Sequence, residues 1–152
     1  MGRWGKTFPV IYLGRPAGSV TVEAYRHLVE PFGIPRSAVQ PRVLYTVSVQ
    51  VQTVLDLTER ARQESVDLTD PDLMSEVDDY EACQQVARAA HQLEIHGILA
   101  PAATGLGQTL ALFAQRISAS ERPVVLEETW WSQLPDDPRI PRAIRRRARG
   151  GG

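Results

Sequence analysis

The sequence contains little cysteine and no long apolar run. Cys83 is the one cysteine among the 152 residues, so it has no disulfide partner within the chain. No apolar stretch approaches the roughly 18 residues that a membrane-spanning helix requires. These two absences exclude a disulfide scaffold and a membrane-spanning protein, and we expect a location in the reducing cytoplasm.

Motifs for several common chemistries are also absent. The sequence has no Walker A motif, no H-E-x-x-H pair and no Gly-x-Ser-x-Gly elbow. ATP hydrolysis, zinc chemistry and serine esterase chemistry therefore lack their usual sequence support. His27, His91 and His96 have no second metal ligand four residues later. We expect packing or solvent exposure for these side chains, and we predict no metal site.

Acidic and basic residues are unevenly distributed along the chain. All 18 acidic residues precede residue 138, whereas six arginines lie within the last fourteen residues. We predict a globular domain over residues 1–135 and a Pro/Arg-rich basic tail over residues 136–152. Because the body is acidic, the arginines do not form a groove-shaped basic surface, and we favour a solvated or partner-contacting tail over a nucleic-acid site.

The hydrophobic pattern predicts one α+β domain. Alternation of apolar and polar residues is clearest over residues 42–51. Shorter apolar runs predict further strands at 9–13, 54–57, 95–100, 109–113 and 123–128. Strands that pair first and then alternate with helices favour α+β over a regular parallel βαβ series.

Two stretches show strong helical periodicity. The first lies between Ser19, which is the expected N-cap, and Pro31, where the helix is expected to stop. The second covers residues 80–93, and shorter helical segments are predicted at 58–65 and from residue 69. The buried face of the second helix is predicted to hold Cys83, Val86, Ala87, Ala90 and Leu93.

Three polar side chains near the first strand and helix could carry chemistry. Tyr12 closes the predicted strand, Glu23 lies in the helix that follows, and Arg3 precedes both. A carboxylate can stabilise the cationic transition state of glycosidic-bond cleavage, and a guanidinium can grip phosphates. A structural explanation fits the residues as well, with Tyr12 packed in the strand and Glu23 paired with His27 on the helix surface.

Six segments have an order and spacing that point to a family. They are GRW at 2–4, PVIYL at 9–13, VEAYRHL at 22–28, VLDL at 54–57, YEACQQVARAAH at 80–91 and HGILAPAATGLGQTLALF at 96–113. Together they resemble the RES domain, which is named for its Arg, Glu and Ser positions and occurs as the toxin of toxin–antitoxin pairs. The resemblance covers residues 2 to about 117.

The resemblance implies a single α+β domain similar to the ADP-ribosyltransferase fold, with a small mixed or antiparallel sheet and flanking helices. It implies an enzyme that depletes NAD by phosphorolysis or hydrolysis of the nicotinamide–ribose bond. NAD would be the substrate, with phosphate as a possible second one, and no prosthetic group is implied. The implied partner is a cognate Xre-like antitoxin in a hetero-oligomeric complex, and nucleic acid would be contacted only through that antitoxin.

The resemblance also implies roles for individual residues. Glu23 would stabilise the ribosyl cation, and Tyr12 would line the nicotinamide-ribose pocket. Arg3 would grip the phosphates of NAD or the incoming phosphate, beside Trp4 as a further binding residue. Ala102 stands at the substrate-binding position where many relatives carry a Ser, so a hydroxyl is missing there.

Two departures from the family pattern keep other functions open. One is Ala102. The other is the start of the chain, because relatives commonly carry a further segment before GRW, and we expect such a segment to be missing here. The alternatives are a non-catalytic protein that binds NAD or an antitoxin, and an ADP-ribosyltransferase that modifies a protein.

Overall fold

The computed structural model describes residues 2–75 and 80–140. In chain order the elements are β1 (Val10–Arg15), α1 (Ala17–Leu28), β2 (Arg42–Ser48), β3 (Val54–Asp56), α2 (Arg60–Ser65), α3 (Asp70–Met74), α4 (Glu81–Gln92), β4 (Gly97–Pro101), β5 (Gln108–Phe113) and β6 (Val124–Trp131). Short 3-10 helices occur at Glu30–Phe32, Arg36–Ala38 and Ala119–Glu121. Within the described residues, no helix has the length and apolar character needed to cross a membrane.

Four strands form the central sheet, in the order β1-β5-β4-β3. β5 is antiparallel to both of its neighbours, whereas β3 runs parallel to β4. This strand order confirms the predicted small mixed sheet. The helices that accompany the sheet confirm the α+β class.

β2 and β6 form a separate antiparallel ribbon and do not join the central sheet. The alternating stretch predicted over 42–51 is a strand only as far as Ser48, which pairs with the first residue of β6, Val124. Beyond that pair, β6 offers no further residue for the ladder. The ribbon leaves Tyr45, Leu126 and Trp130 exposed.

The main core fills the face of the sheet that packs against α4. Alternate residues of β4 and β5 point to this face, because successive side chains of a strand lie on opposite sides. The buried members of the cluster are Trp4, Leu57, Leu68, Leu73, Cys83, Ala87, Ala90, Ile98, Ala100, Ala111 and Phe113. The inward positions predicted for Cys83, Ala87 and Ala90 on α4 are therefore confirmed.

Two details of the helix predictions are wrong. Ser19 is not the N-cap of α1, because the helix begins at Ala17 after Pro16, and the Ser19 N–H donates to the Pro16 carbonyl within the first turn. Leu93 does not face inward and is 74% exposed. The reason is that α4 ends at Gln92, and Glu94 adopts a φ of 62° as the chain turns towards β4.

Gly107 shapes the tight loop between β4 and β5. Its φ is +76°, and a Cβ at this position would overlap the Arg15 carbonyl oxygen. Gly105 has a φ of +78°, but a Cβ there would meet no atom within 4 Å. We expect Gly107→Ala to lower the free energy of unfolding by about 2 kcal/mol or more, and Gly105→Ala by about 1 kcal/mol. Urea unfolding measures both values, and equal losses would contradict a steric role for the Arg15 carbonyl.

Candidate active site

A cleft of about 840 Å³ opens between the N-terminal residues, β1 and α1. Arg3, Tyr12 and Glu23, the three polar side chains that stood out in the sequence, all line it. α1 also contributes Ser19 and Arg26, and other segments complete the wall with Ser75, Tyr80, Pro101, Ala103 and Thr109. The fold therefore brings an arginine, a phenol and a carboxylate to one cavity.

Tyr12 places its phenol between the cleft and the N-terminal residues. The side chain is 42% exposed, and its oxygen accepts a hydrogen bond from the Trp4 backbone N–H at 3.0 Å. Burial raises the pKa of Tyr12 above its ordinary value. The hydrogen bond from the Trp4 N–H and the positive charge of Arg3 lower this pKa, but by less than burial raises it. The phenol is therefore protonated at neutral pH and keeps a hydrogen to donate. Gly2 permits this arrangement, because a Cβ there would overlap the phenol.

Glu23 lines the cleft from α1. The helix approaches β1 closely at Gly14, where a Cβ would lie 3.1 Å from Val20 Cγ2. Glu23 is 40% exposed, and its Oε2 lies 2.9 Å from His27 Nε2, one helical turn later. The His27 pairing expected for a structural role is thus present at a carboxylate that also faces the cavity.

Arg3 is bound by the residues at the end of α3. Its guanidinium donates to the carbonyl oxygens of Asp72 and Ser75, and lies 3.3 Å from the Ser75 hydroxyl. Its Cζ is also 4.6 Å from the centroid of the Tyr80 ring. A planar group with five N–H donors suits contact with carbonyls and an aromatic ring at the same time. Arg3 therefore anchors one wall of the cleft and brings a positive charge to it.

Trp4 and Ala102 are placed differently from these three residues. Trp4 is among the lining residues, but its side chain is 2% exposed and belongs to the main core. Ala102 is 1% exposed and does not line the cleft, whereas its neighbours Pro101 and Ala103 do. The Ala102 N–H donates to the Gly107 carbonyl at 3.0 Å. Substrate-binding roles for Trp4 and Ala102 remain predictions.

Several lining residues were missed by reasoning from the sequence. Ser19 could have been found, because it lies one helical turn before Glu23 on the same face of α1. Tyr80 directly precedes α4, and Thr109 lies on β5. No sequence signal links these two residues to Tyr12 and Glu23, since only the tertiary fold brings their segments together.

A larger cavity, of about 1290 Å³, is bounded by β2 and by strands of the central sheet. Leu13, Leu99, Leu110 and Val47 are among its apolar lining residues. Tyr12 borders this cavity too, but Arg3 and Glu23 do not. The charged residues that line this larger cavity include Arg15 and Glu121. Arg3, Tyr12 and Glu23 line the 840 Å³ cleft together.

The histidines make local contacts. His27 pairs with Glu23, and the His91 ring stacks on Phe8 with centroids 4.0 Å apart. His96 Nδ1 lies 3.0 Å from a carboxylate oxygen of Glu121. Within residues 2–75 and 80–140, no group of three or more His, Cys, Asp or Glu side chains could hold a metal ion.

The sequence matches a model of the RES domain over residues 1–148. The chain therefore belongs to the RES domain family, and the resemblance seen in its segments is confirmed. The match reaches past residue 135, the predicted end of the globular domain, and into the predicted basic tail over 136–152. From residue 141 that tail lies outside the described residues.

The chain is similar to proteins named MbcT. The NAD(+) phosphorylase MbcT of Mycobacterium bovis and that of Mycobacterium tuberculosis are each 35% identical to this chain over 118 residues. Those residues are 76% of this chain and 62% of each relative, so the chain spans less than two thirds of their length. A chain in the crystal structure of the M. tuberculosis MbcT–MbcA toxin–antitoxin complex is 30% identical, with a TM-score of 0.70. That likeness covers 86% of this chain and 72% of the solved one.

Proposed function

We propose that this protein cleaves the nicotinamide–ribose bond of NAD, with phosphate as the acceptor. The observation that carries the proposal is the meeting of Arg3, Tyr12 and Glu23 in one cleft of a RES-family chain. The MbcT relatives, which are named NAD(+) phosphorylases, support the choice of reaction. NAD is the substrate, and the reaction needs no prosthetic group.

The bond to be broken joins a ribose carbon to a positively charged pyridinium nitrogen. When it breaks, nicotinamide leaves as a neutral molecule with the bonding electron pair, so the leaving group requires no proton. Positive charge then develops on the ribose, and the nearby Glu23 carboxylate stabilises that charge. A phosphate oxygen forms the new bond to the ribose carbon, and the products are nicotinamide and ADP-ribose 1″-phosphate.

Tyr12 and Arg3 have binding roles in this reaction. The protonated phenol of Tyr12 donates a hydrogen bond to the nicotinamide nucleoside, which keeps the reacting ribose beside Glu23. The Arg3 guanidinium attracts the phosphate groups of NAD or the incoming phosphate. Its hydrogen bonds to Asp72 and Ser75 hold it in place for this task.

The biological role that we propose is that of a cytoplasmic toxin held inactive by an antitoxin. The toxin–antitoxin complex named for the solved relative supports this role. The partner would be a cognate Xre-like antitoxin in a hetero-oligomeric complex, and contact with nucleic acid would occur only through that partner. The division into a domain over 1–135 and a basic tail over 136–152 is part of the same proposal.

Expression in a bacterial host tests this role. Induction of the wild-type chain should lower cellular NAD and stop growth, and co-expression of its antitoxin should restore both. Unchanged NAD, together with stabilisation of the purified protein by NAD in a thermal-shift assay, would favour the non-catalytic binding protein instead. Label from adenine-labelled NAD on a cellular protein would favour an ADP-ribosyltransferase.

A further inference from the structure

Thr109 occupies a central position on the cleft side of the sheet. It pairs with Gly14 of β1 on one side and with Ala100 of β4 on the other. Directly paired residues project to the same face of a sheet. Thr109 therefore shares its face with Tyr12, which pairs with the next residue but one on β5, Ala111.

The surroundings of Thr109 leave its hydroxyl accessible. Gly14, its partner on β1, has no side chain to cover it, and Thr109 is only partly buried. Among the described residues, the Thr109 side chain makes no hydrogen bond or other polar contact. Ser19 differs, because it is fully buried and its hydroxyl lies 3.3 Å from the Thr104 hydroxyl. A partly buried hydroxyl without a partner at the wall of a cavity is suited to bind a ligand.

The position of Thr109 bears on the hydroxyl that is missing at residue 102. Ala102 follows Pro101, and Pro101 pairs with Gln108, the residue before Thr109. Thr109 itself pairs with Ala100, two residues before Ala102, and the Ala102 N–H donates to the carbonyl of Gly107, two residues before Thr109. The positions of Ala102 and Thr109 are therefore diagonal neighbours, about 7–8 Å apart, at the loop end of the β4–β5 ladder. Ala102 itself is buried behind Pro101 and Ala103, the two neighbours that do line the cavity.

We propose that the Thr109 hydroxyl binds a sugar hydroxyl of the dinucleotide, and so supplies from β5 the contact that Ala102 cannot make. This inference rests on the proposed function, since it names a further substrate-binding residue of the same cleft. Tyr12 is the diagonal neighbour of Thr109 across the β1–β5 pair, and such neighbours lie roughly 7–8 Å apart. Tyr12, Thr109 and Glu23 all line the cleft, so one bound ribose can contact all three side chains.

The test compares Thr109→Val with Thr109→Ser. Valine keeps the shape of threonine without its hydroxyl, and serine keeps the hydroxyl. Thr129→Val, on the ribbon strand β6 outside the cleft, is the matched control. We expect Thr109→Val to lower kcat/KM for NAD by about tenfold or more, with Thr109→Ser within about threefold of wild type. Thermal unfolding without NAD should be unchanged in the control.

Each outcome of this comparison either supports or refutes substrate binding by the Thr109 hydroxyl. If Thr109→Val and Thr129→Val have the same kcat/KM, or if Thr109→Ser is as impaired as Thr109→Val, the role of the hydroxyl is refuted. A wild-type chain that releases no nicotinamide would refute the catalytic function, and the NAD-induced shift in Tm would then decide about Thr109. A smaller shift for Thr109→Val than for wild type would support binding by its hydroxyl. An equal shift in Thr109→Val and wild type, or no shift in either protein, would overturn the proposed binding role of Thr109.

Discussion

Glu23→Gln is expected to lower the rate of nicotinamide release from NAD by about a hundredfold or more, while the protein stays folded. Glutamine has nearly the shape of glutamate but no charge, so it cannot stabilise the positive charge that develops on the ribose. Because Glu23 is a partly exposed residue on the surface of α1, the free energy of unfolding should change by only about 0.5 kcal/mol. Steady-state kinetics and urea unfolding of the same preparation measure the two effects.

Glu64→Gln is the matched control for Glu23→Gln. Glu64 is also a helical glutamate paired with a basic residue one turn away, Arg60, but it lies outside the cleft. Its substitution should leave the rate of NAD cleavage unchanged. A Glu23→Gln variant that retains a third or more of the wild-type rate would show that another group stabilises the transition state.

The second large effect is expected at Arg3, where both stability and activity should fall. Arg3→Ala removes the hydrogen bonds to Asp72 and Ser75 and the contact with the Tyr80 ring. These partly buried contacts should be worth on the order of 2–4 kcal/mol in the free energy of unfolding. NAD cleavage should fall by about a hundredfold or more, because the wall of the cleft loses its anchor and its positive charge.

Arg3→Lys separates the two contributions of Arg3. Lysine keeps the charge but cannot contact two carbonyls and stack on a ring simultaneously. It should therefore recover only part of the stability and remain well below the wild-type rate. Arg60→Ala, which changes an exposed arginine on α2, should lower the free energy of unfolding by about 0.5 kcal/mol at most. An Arg3→Ala loss as small as that of Arg60→Ala would contradict the anchoring role.

Local sequence patterns predicted much of the fold. Alternation identified β2, and short apolar runs identified β4, β5 and β6. The 3.6-residue period identified α4 with its buried Cys83, Ala87 and Ala90. The pattern did not reveal that β2 pairs with β6 in a separate ribbon, because strand pairing between distant segments depends on the whole chain. Helix ends were predicted less well, since Pro16 moved the start of α1 ahead of Ser19.

The candidate site could be predicted only in part. Tyr12 and Glu23 are close in sequence, and one strand followed by one helix was enough to suggest that they meet. The contacts of Arg3 could not be predicted, because Asp72, Ser75 and Tyr80 lie 69 or more residues away in the sequence. Thr109 escaped notice for the same reason, since its place beside Gly14 follows from the β1–β5 register.

Phosphorus NMR of the purified chain with NAD and inorganic phosphate tests the central claim most directly. NAD should disappear as ADP-ribose 1″-phosphate forms, with an equal amount of nicotinamide released. The Glu23→Gln variant should show neither product over the same time. Intact NAD after prolonged incubation of the folded wild-type protein, with and without phosphate, would contradict the claim that Arg3, Tyr12 and Glu23 form an NAD-cleaving site.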